Sequence, residues 1–169
     1  ATLLDELQVL HNKSFQISHQ LREIPPENWN ERWETNFTPI QVGSKCVVRA
    51  PFHEVPNVLY DIVIEPKMSF GTGHHETTHM MLLYILKLEI AGKSVLDMGC
   101  GTGILAVFSE MKGATKVEAI DIDEWAYNNS LENVVKNNCK KICVQLGDAN
   151  VIKSVDFEYI LANINRNIL

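Results

Sequence analysis

His75-Glu76-Thr77-Thr78-His79 spells H-E-x-x-H. Histidines four residues apart share one face of a helix, where they could hold a zinc ion while the glutamate activates water. Such a zinc hydrolase needs a third ligand. The extended motif H-E-x-x-H-x-x-G-x-x-H asks for glycine and histidine where this chain has Leu82 and Ile85. Glu89 stands too close to the second histidine to serve as the later glutamate of the other common pattern. No metal site is therefore expected. The string reads instead as part of a helix over 75–88 whose Met81, Tyr84, Ile85 and Leu88 face a core.

The strongest chemical signal is Val95-Leu96-Asp97-Met98-Gly99-Cys100-Gly101-Thr102-Gly103-Ile104-Leu105-Ala106. A buried strand ends in three alternating glycines and passes directly into a helix. Glycine allows a sharp turn and lets a ligand approach where a Cβ would stand. In open α/β sheets, ligands bind beyond the carboxyl ends of the strands, beside such a helix N-terminus. No Gly-Lys-Ser/Thr follows, so a Walker A loop is excluded. The dinucleotide fingerprint G-x-G-x-x-G fails when counted from Gly99, where its last position is Ile104. Counted from Gly101 it ends on Ala106, which the looser fingerprint accepts, so a nicotinamide oxidoreductase stays open as a rival. The observed G-x-G-x-G after Asp97 resembles the loop of S-adenosylmethionine-dependent methyltransferases.

Further acids stand where that chemistry would want them. Asp121, in "AIDID", ends the next strand, where a carboxylate accepts hydrogen bonds from ribose hydroxyls. Asp148, in "LGDA", ends the third, where it could receive an amino hydrogen from adenine. Asp97 would brace the loop or meet a methionine ammonium. Each acid alone reads as a cap or turn residue; three in order, each at a strand end, read as a site. Asn163-Ile164-Asn165 ends the fourth strand, placing an amide toward the transferred methyl, although Asn is also an ordinary turn residue.

The elements that must position these groups follow from the pattern. From residue 71 onward, helix, strand "SVLDM", helix "GILAVFSEMKG", strand "KVEAIDID", helix "EWAYNNSLENVVKNN", strand "ICVQLGD" and strand "FEYILANI" succeed one another. Such alternation implies a mostly parallel sheet flanked by helices. Upstream, "TLLDELQVLHNK" reads as a helix and "SFQISHQLREI" as a strand. Pro25 and Pro26 break the chain, and Trp29, Trp33 and Phe37 stand at helical spacing to pack against the body. "KCVVRAPF" and "YDIVIEP" form two strand-like runs.

The 169 residues are 46% hydrophobic and 21% charged, as in a globular chain. A net charge of −6 does not favour nucleic acid or anionic membrane and suits a basic partner better. No apolar run approaches the roughly 20 residues that span a bilayer, and no signal peptide is evident, so a cytoplasmic location is expected. Cys46, Cys100, Cys139 and Cys143 then read as reduced thiols.

"EPKMSFGTGHHETT", "GKSVLDMGCGTGILA", "AIDID" and "LANIN", taken together from about Trp29 to Leu169, resemble the PrmA family of ribosomal-protein methyltransferases. The segment "FGTGxHxTT" at this distance from the glycine loop is not a general methyltransferase feature. The resemblance implies a class I S-adenosylmethionine-dependent methyltransferase, Rossmann-like and apparently incomplete at its C-terminus. It implies methylation of the α-amine and lysine ε-amines of large-subunit ribosomal protein eleven, by a monomer without direct nucleic-acid contact. Thr78, Gly99, Asp121 and Asn163 would be cofactor contacts, with Gly101 and Asp148 as neighbours and Asn163 also at the reacting centre. Phe70 and the loop 71–73 would cover the methionine end. His74 and His75 would order the loop. Residues 1–26 then read as the remnant of a substrate-recognition region, 27–66 as a linker helix and strand pair, and 67–169 as a partial methyltransferase domain. A cofactor-binding fragment without activity, or action on another substrate, is the alternative.

Overall fold

The computed structural model describes residues 38–65, 75–153 and 156–164. Among them the strands are β1 (Ile40–Val42), β2 (Cys46–Arg49), β3 (Tyr60–Val63), β4 (Ser94–Met98), β5 (Lys116–Asp121), β6 (Ile142–Leu146) and β7 (Tyr159–Ala162). The helices are α1 (Glu76–Lys87), α2 (Ile104–Met111) and α3 (Glu124–Lys136). The chain divides into compact units Ala1–Trp33 and Glu34–Leu169, and the described residues lie in the second. The expected helices and strand before residue 38, together with Phe70, the loop 71–73 and His74, fall outside the described residues. No helix among the described residues is long and apolar enough to cross a membrane.

The main sheet has the order β6-β5-β4-β7, all parallel. Its central strands read as continuous apolar runs because helices and neighbouring strands cover them on both faces. Val95, Leu96 and Asp97 of β4 and residues 117–120 of β5 are buried. A smaller sheet carries the expected strand pair, β2 and β3, plus β1, which hairpins onto β2 and was not anticipated. Parallel neighbours normally need a long crossover. Here the short return between β2 and β3 is clasped by Arg49. Its Nε and Nη2 each donate to Asp61 at 2.8 Å, and its Nη1 donates to the carbonyls of Ala50 and His53.

Helix α2 lies between the two sheets. Residues 104–109 are all buried, the signature of a helix covered on every side. Phe108 meets Tyr60 of β3 edge-on, with ring centroids 5.3 Å apart. On α1 the inward residues are Thr78, Leu82 and Ile85, a helical i, i+4, i+7 stripe. Met81 and Leu88 pack against the core as expected, but Tyr84 is 63% exposed and belongs to the outer face. The spacing of Tyr84 from Thr78 and Leu82 turns it away from their stripe.

Candidate functional site

The register of the main sheet assembles the site. Met98 of β4 stands level with Ile120 of β5 and with Ala162 of β7. The next residue on each strand is therefore Gly99, Asp121 and Asn163, side by side at the carboxyl edge. Asp121 is in turn level with Leu146 of β6, which places Asp148 two residues beyond that row. β5 and β7 lie on opposite sides of β4, so the strand order reverses there; such a switch point is where sheets of this kind bind ligands.

The glycine loop takes left-handed backbone at each alternate position: φ is +66° at Gly99, +56° at Gly101 and +75° at Gly103. Side chains are excluded for packing reasons too. A Cβ on Gly99 would collide with Ile164, and one on Gly103 would meet Ser130 Oγ at 2.9 Å. From α3, Ser130 donates its hydroxyl to the Gly101 carbonyl at 2.8 Å, and Asn133 donates Nδ2 to the Thr102 carbonyl at 2.8 Å. Sequence reasoning did not single out these two. Their signal was a repeat of small polar residues at helical spacing, which reads as a solvated face until the fold buries it.

Asp97 is fully buried. Its Oδ2 accepts from the Ala106 N–H at 3.1 Å, bracing the first turn of α2, while Oδ1 has no hydrogen-bond partner among the described residues. Asp121 Oδ2 accepts from Gly101 N–H at 2.8 Å and Oδ1 from Asp123 N–H at 3.0 Å. Asp148 accepts from the backbone and side-chain nitrogens of Asn150, which ties it into the turn Ala149–Val151. Cys100 lies in the loop, its sulfur 3.3 Å from Ser130 Oγ, and burial pushes its thiol far up, so it is no nucleophile. All four cysteines are free.

Thr78, buried on α1, and Asn163, at the end of β7, meet directly: Asn163 Nδ2 donates to Thr78 Oγ1 at 3.0 Å. Residues from far apart in the chain are thus joined at the strand-end row. The bond leaves the Asn163 carbonyl oxygen as an acceptor. The neighbouring His75 is the N-cap of α1, not a residue within it; its ring accepts from Thr77 N–H. Among the described residues no cluster of three or more His, Cys, Asp or Glu is placed to hold a metal ion.

The donor set discriminates between ligands. A pyrophosphate would need the N–H groups of the loop and the first helical turn. Those of Gly101 and Ala106 already donate to Asp121 and Asp97. Two acids and a buried oxygen atom without a partner suit a cationic nucleoside better than an anionic dinucleotide.

The family model described as "Ribosomal protein L11 methyltransferase (PrmA)" matches residues 1–169. A ribosomal protein L11 methyltransferase of Phocaeicola vulgatus is 51% identical over 156 residues, covering 90% of this chain and 56% of that protein. Its counterpart in Bacteroides fragilis strain ATCC 25285 is 48% identical over 171 residues, covering 99% of this chain and 61% of that protein. The chain thus spans somewhat over half the length of these relatives. The crystal structure of a ribosomal protein L11 methylase from Lactobacillus delbrueckii subsp. bulgaricus is similar with a TM-score of 0.66 and 28% identity. The match covers 78% of this chain and 69% of that one. The fold is that of class I methyltransferases.

Proposed function

Because the chain belongs to the PrmA family of ribosomal protein L11 methyltransferases, we propose that the complete protein methylates amino groups of ribosomal protein L11, its α-amine and lysine ε-amines, using S-adenosyl-L-methionine. The observation that carries this reading is the row Gly99, Asp121, Asn163 at the switch point, with Thr78 hydrogen-bonded to Asn163. We assign residues 1–26 to substrate recognition, 27–66 to a linker, and 67–169 to the methyltransferase domain. A monomer acting in the cytoplasm without nucleic acid fits the acidic charge of −6, which favours encounter with a basic ribosomal protein.

The cofactor supplies an activated methyl on a sulfonium, so the protein's task is mainly to position the groups. Gly99 and Gly101 would let the nucleoside approach the loop, and Asp121 would accept from its ribose through lone pairs left over from the two backbone N–H groups. Asp148 would stand toward the base. Asp97 Oδ1 would answer the positive charge of the methionine end. A free lysine amine is protonated at pH 7, and making it neutral costs roughly 4–5 kcal/mol from its reference pKa of about 10.4. Burial against the sheet edge disfavours the ammonium and lowers that cost. The Asn163 oxygen, its orientation held by Thr78, would accept an N–H of the neutral amine and aim its lone pair at the methyl.

The test incubates the complete protein with radiolabelled S-adenosylmethionine and purified ribosomal protein L11, then maps labelled peptides. Label on the N-terminal amine and on lysines is expected. Cofactor binding without label on L11 would overturn the substrate assignment, and no cofactor binding would overturn the whole reading.

A further inference from the structure

Asn129, Asn133 and Asn137 recur every fourth residue on the inward side of α3. Asparagine is a poor helix former, and a buried amide is costly unless it is bonded. The three side chains meet the backbone that leaves the small sheet. Asn137 accepts from Val63 N–H at 2.8 Å and donates to the Val63 carbonyl at 2.6 Å. Asn129 donates to the Glu65 carbonyl at 3.3 Å. Helix side chains thus satisfy an edge that another strand would otherwise pair.

Asn133 differs from its two neighbours. Its Oδ1 accepts from Glu65 N–H at 2.8 Å, and its Nδ2 donates to the Thr102 carbonyl at 2.8 Å, with the side chain wholly buried. One amide therefore spans from the small sheet to the glycine loop. Holding the Thr102 carbonyl fixes the peptide plane that enters Gly103, the left-handed N-cap of α2.

We propose that Asn133 is a positioning residue for cofactor binding: it sets the turn Gly101–Gly103 by tying it to the backbone beyond β3. This rests on the S-adenosylmethionine reading and deepens it, since it makes the small sheet part of what shapes the cofactor loop.

Asn133→Asp separates the two arms. The carboxylate still accepts from Glu65 N–H but sets an oxygen against the Thr102 carbonyl. Asn137→Asp is the control; it makes the same change one turn along, against Val63 and away from the loop. In the complete protein, the S-adenosylmethionine dissociation constant by calorimetry is expected to rise about tenfold or more in Asn133→Asp, the loss of one buried hydrogen bond. It is expected to stay within about twofold in Asn137→Asp, although both lose thermal stability. KM for the cofactor should follow the same split with kcat at saturation little changed. Equal affinities in all three proteins, or equal losses in both variants, would overturn the proposal. If Asn133→Asp does not fold, Asn133→Ala carries the same comparison, and failure of both to fold would assign Asn133 to folding alone and overturn the positioning role. An unsubstituted protein that does not bind the cofactor would instead sink the cofactor reading, and this inference with it.

Discussion

Burial pushes the Asp97 carboxyl up to about 7; the Ala106 N–H pulls it down and the Asp121 charge adds to the rise. In the unfolded chain the group titrates near its ordinary 3.8. Folding therefore favours the protonated acid. The stability this gives is complete below the unfolded value, declines as pH rises, and is gone above about 7. A cationic ligand wants the opposite state. Cofactor affinity is expected to climb as pH rises through about 7 and to release a proton on binding below it. Asp97→Asn should flatten that dependence, weaken binding by about tenfold or more, and stabilise the ligand-free protein at pH 8. Calorimetry in buffers of different ionisation enthalpy, with melting curves, checks all three. Thr78→Val keeps the volume but removes the acceptor for Asn163. Turnover is expected to fall by about tenfold or more with a smaller change in melting temperature, and Asn163→Ala should lose no less. Asp121→Ala should weaken cofactor affinity, and wild-type affinity in calorimetry would remove Asp121 from the ribose site.

Elements explain which parts of the structure the sequence disclosed. β4, the glycine loop and α2 were legible because an apolar run, three glycines and a second apolar run leave few alternatives. The acids at 121 and 148 were legible by their place at strand ends, though their bonds to Gly101 and Asn150 were not. β1 escaped notice because three residues, Ile-Gln-Val, carry no periodicity to read. Tyr84 was assigned inward because four large apolar residues at 81, 84, 85 and 88 resemble one face; burial follows Thr78, Leu82 and Ile85 instead. The asparagine repeat of α3 looked like solvent-facing polarity, since nothing local announces that a strand edge will lie against it. Helix α1 illustrates a further contact that only the fold supplies. Lys112, from the end of α2, donates Nζ to the carbonyls of Ile85, Leu86 and Leu88 at 2.8, 2.8 and 2.6 Å. Lys112→Met is expected to cost about 1–3 kcal/mol in urea unfolding, leaving three helix-end carbonyls without that partner, with cofactor affinity within about twofold.

Across the whole molecule, the two sheets share α2 as their common filling. Phe108→Ala, which empties the middle of that layer, is expected to cost about 3–5 kcal/mol. Loss should be felt by both sheets at once, so hydrogen exchange of β2 and β4 amides should accelerate together; protection retained by β2 alone would show that the smaller sheet stands independently. The sheet order β6-β5-β4-β7 also has a consequence in time. A ribosome delivers β4, β5 and β6 in succession, and these pair outward on one flank. The other flank of β4 stays bare until β7 emerges, and with it Asn163. A nascent chain halted before that point already owns the loop and both sugar-side and base-side acids, yet lacks the amide at the reacting centre. Competence to handle a methyl donor is thus withheld until the last described strand has been translated and threaded beside one made some sixty residues earlier.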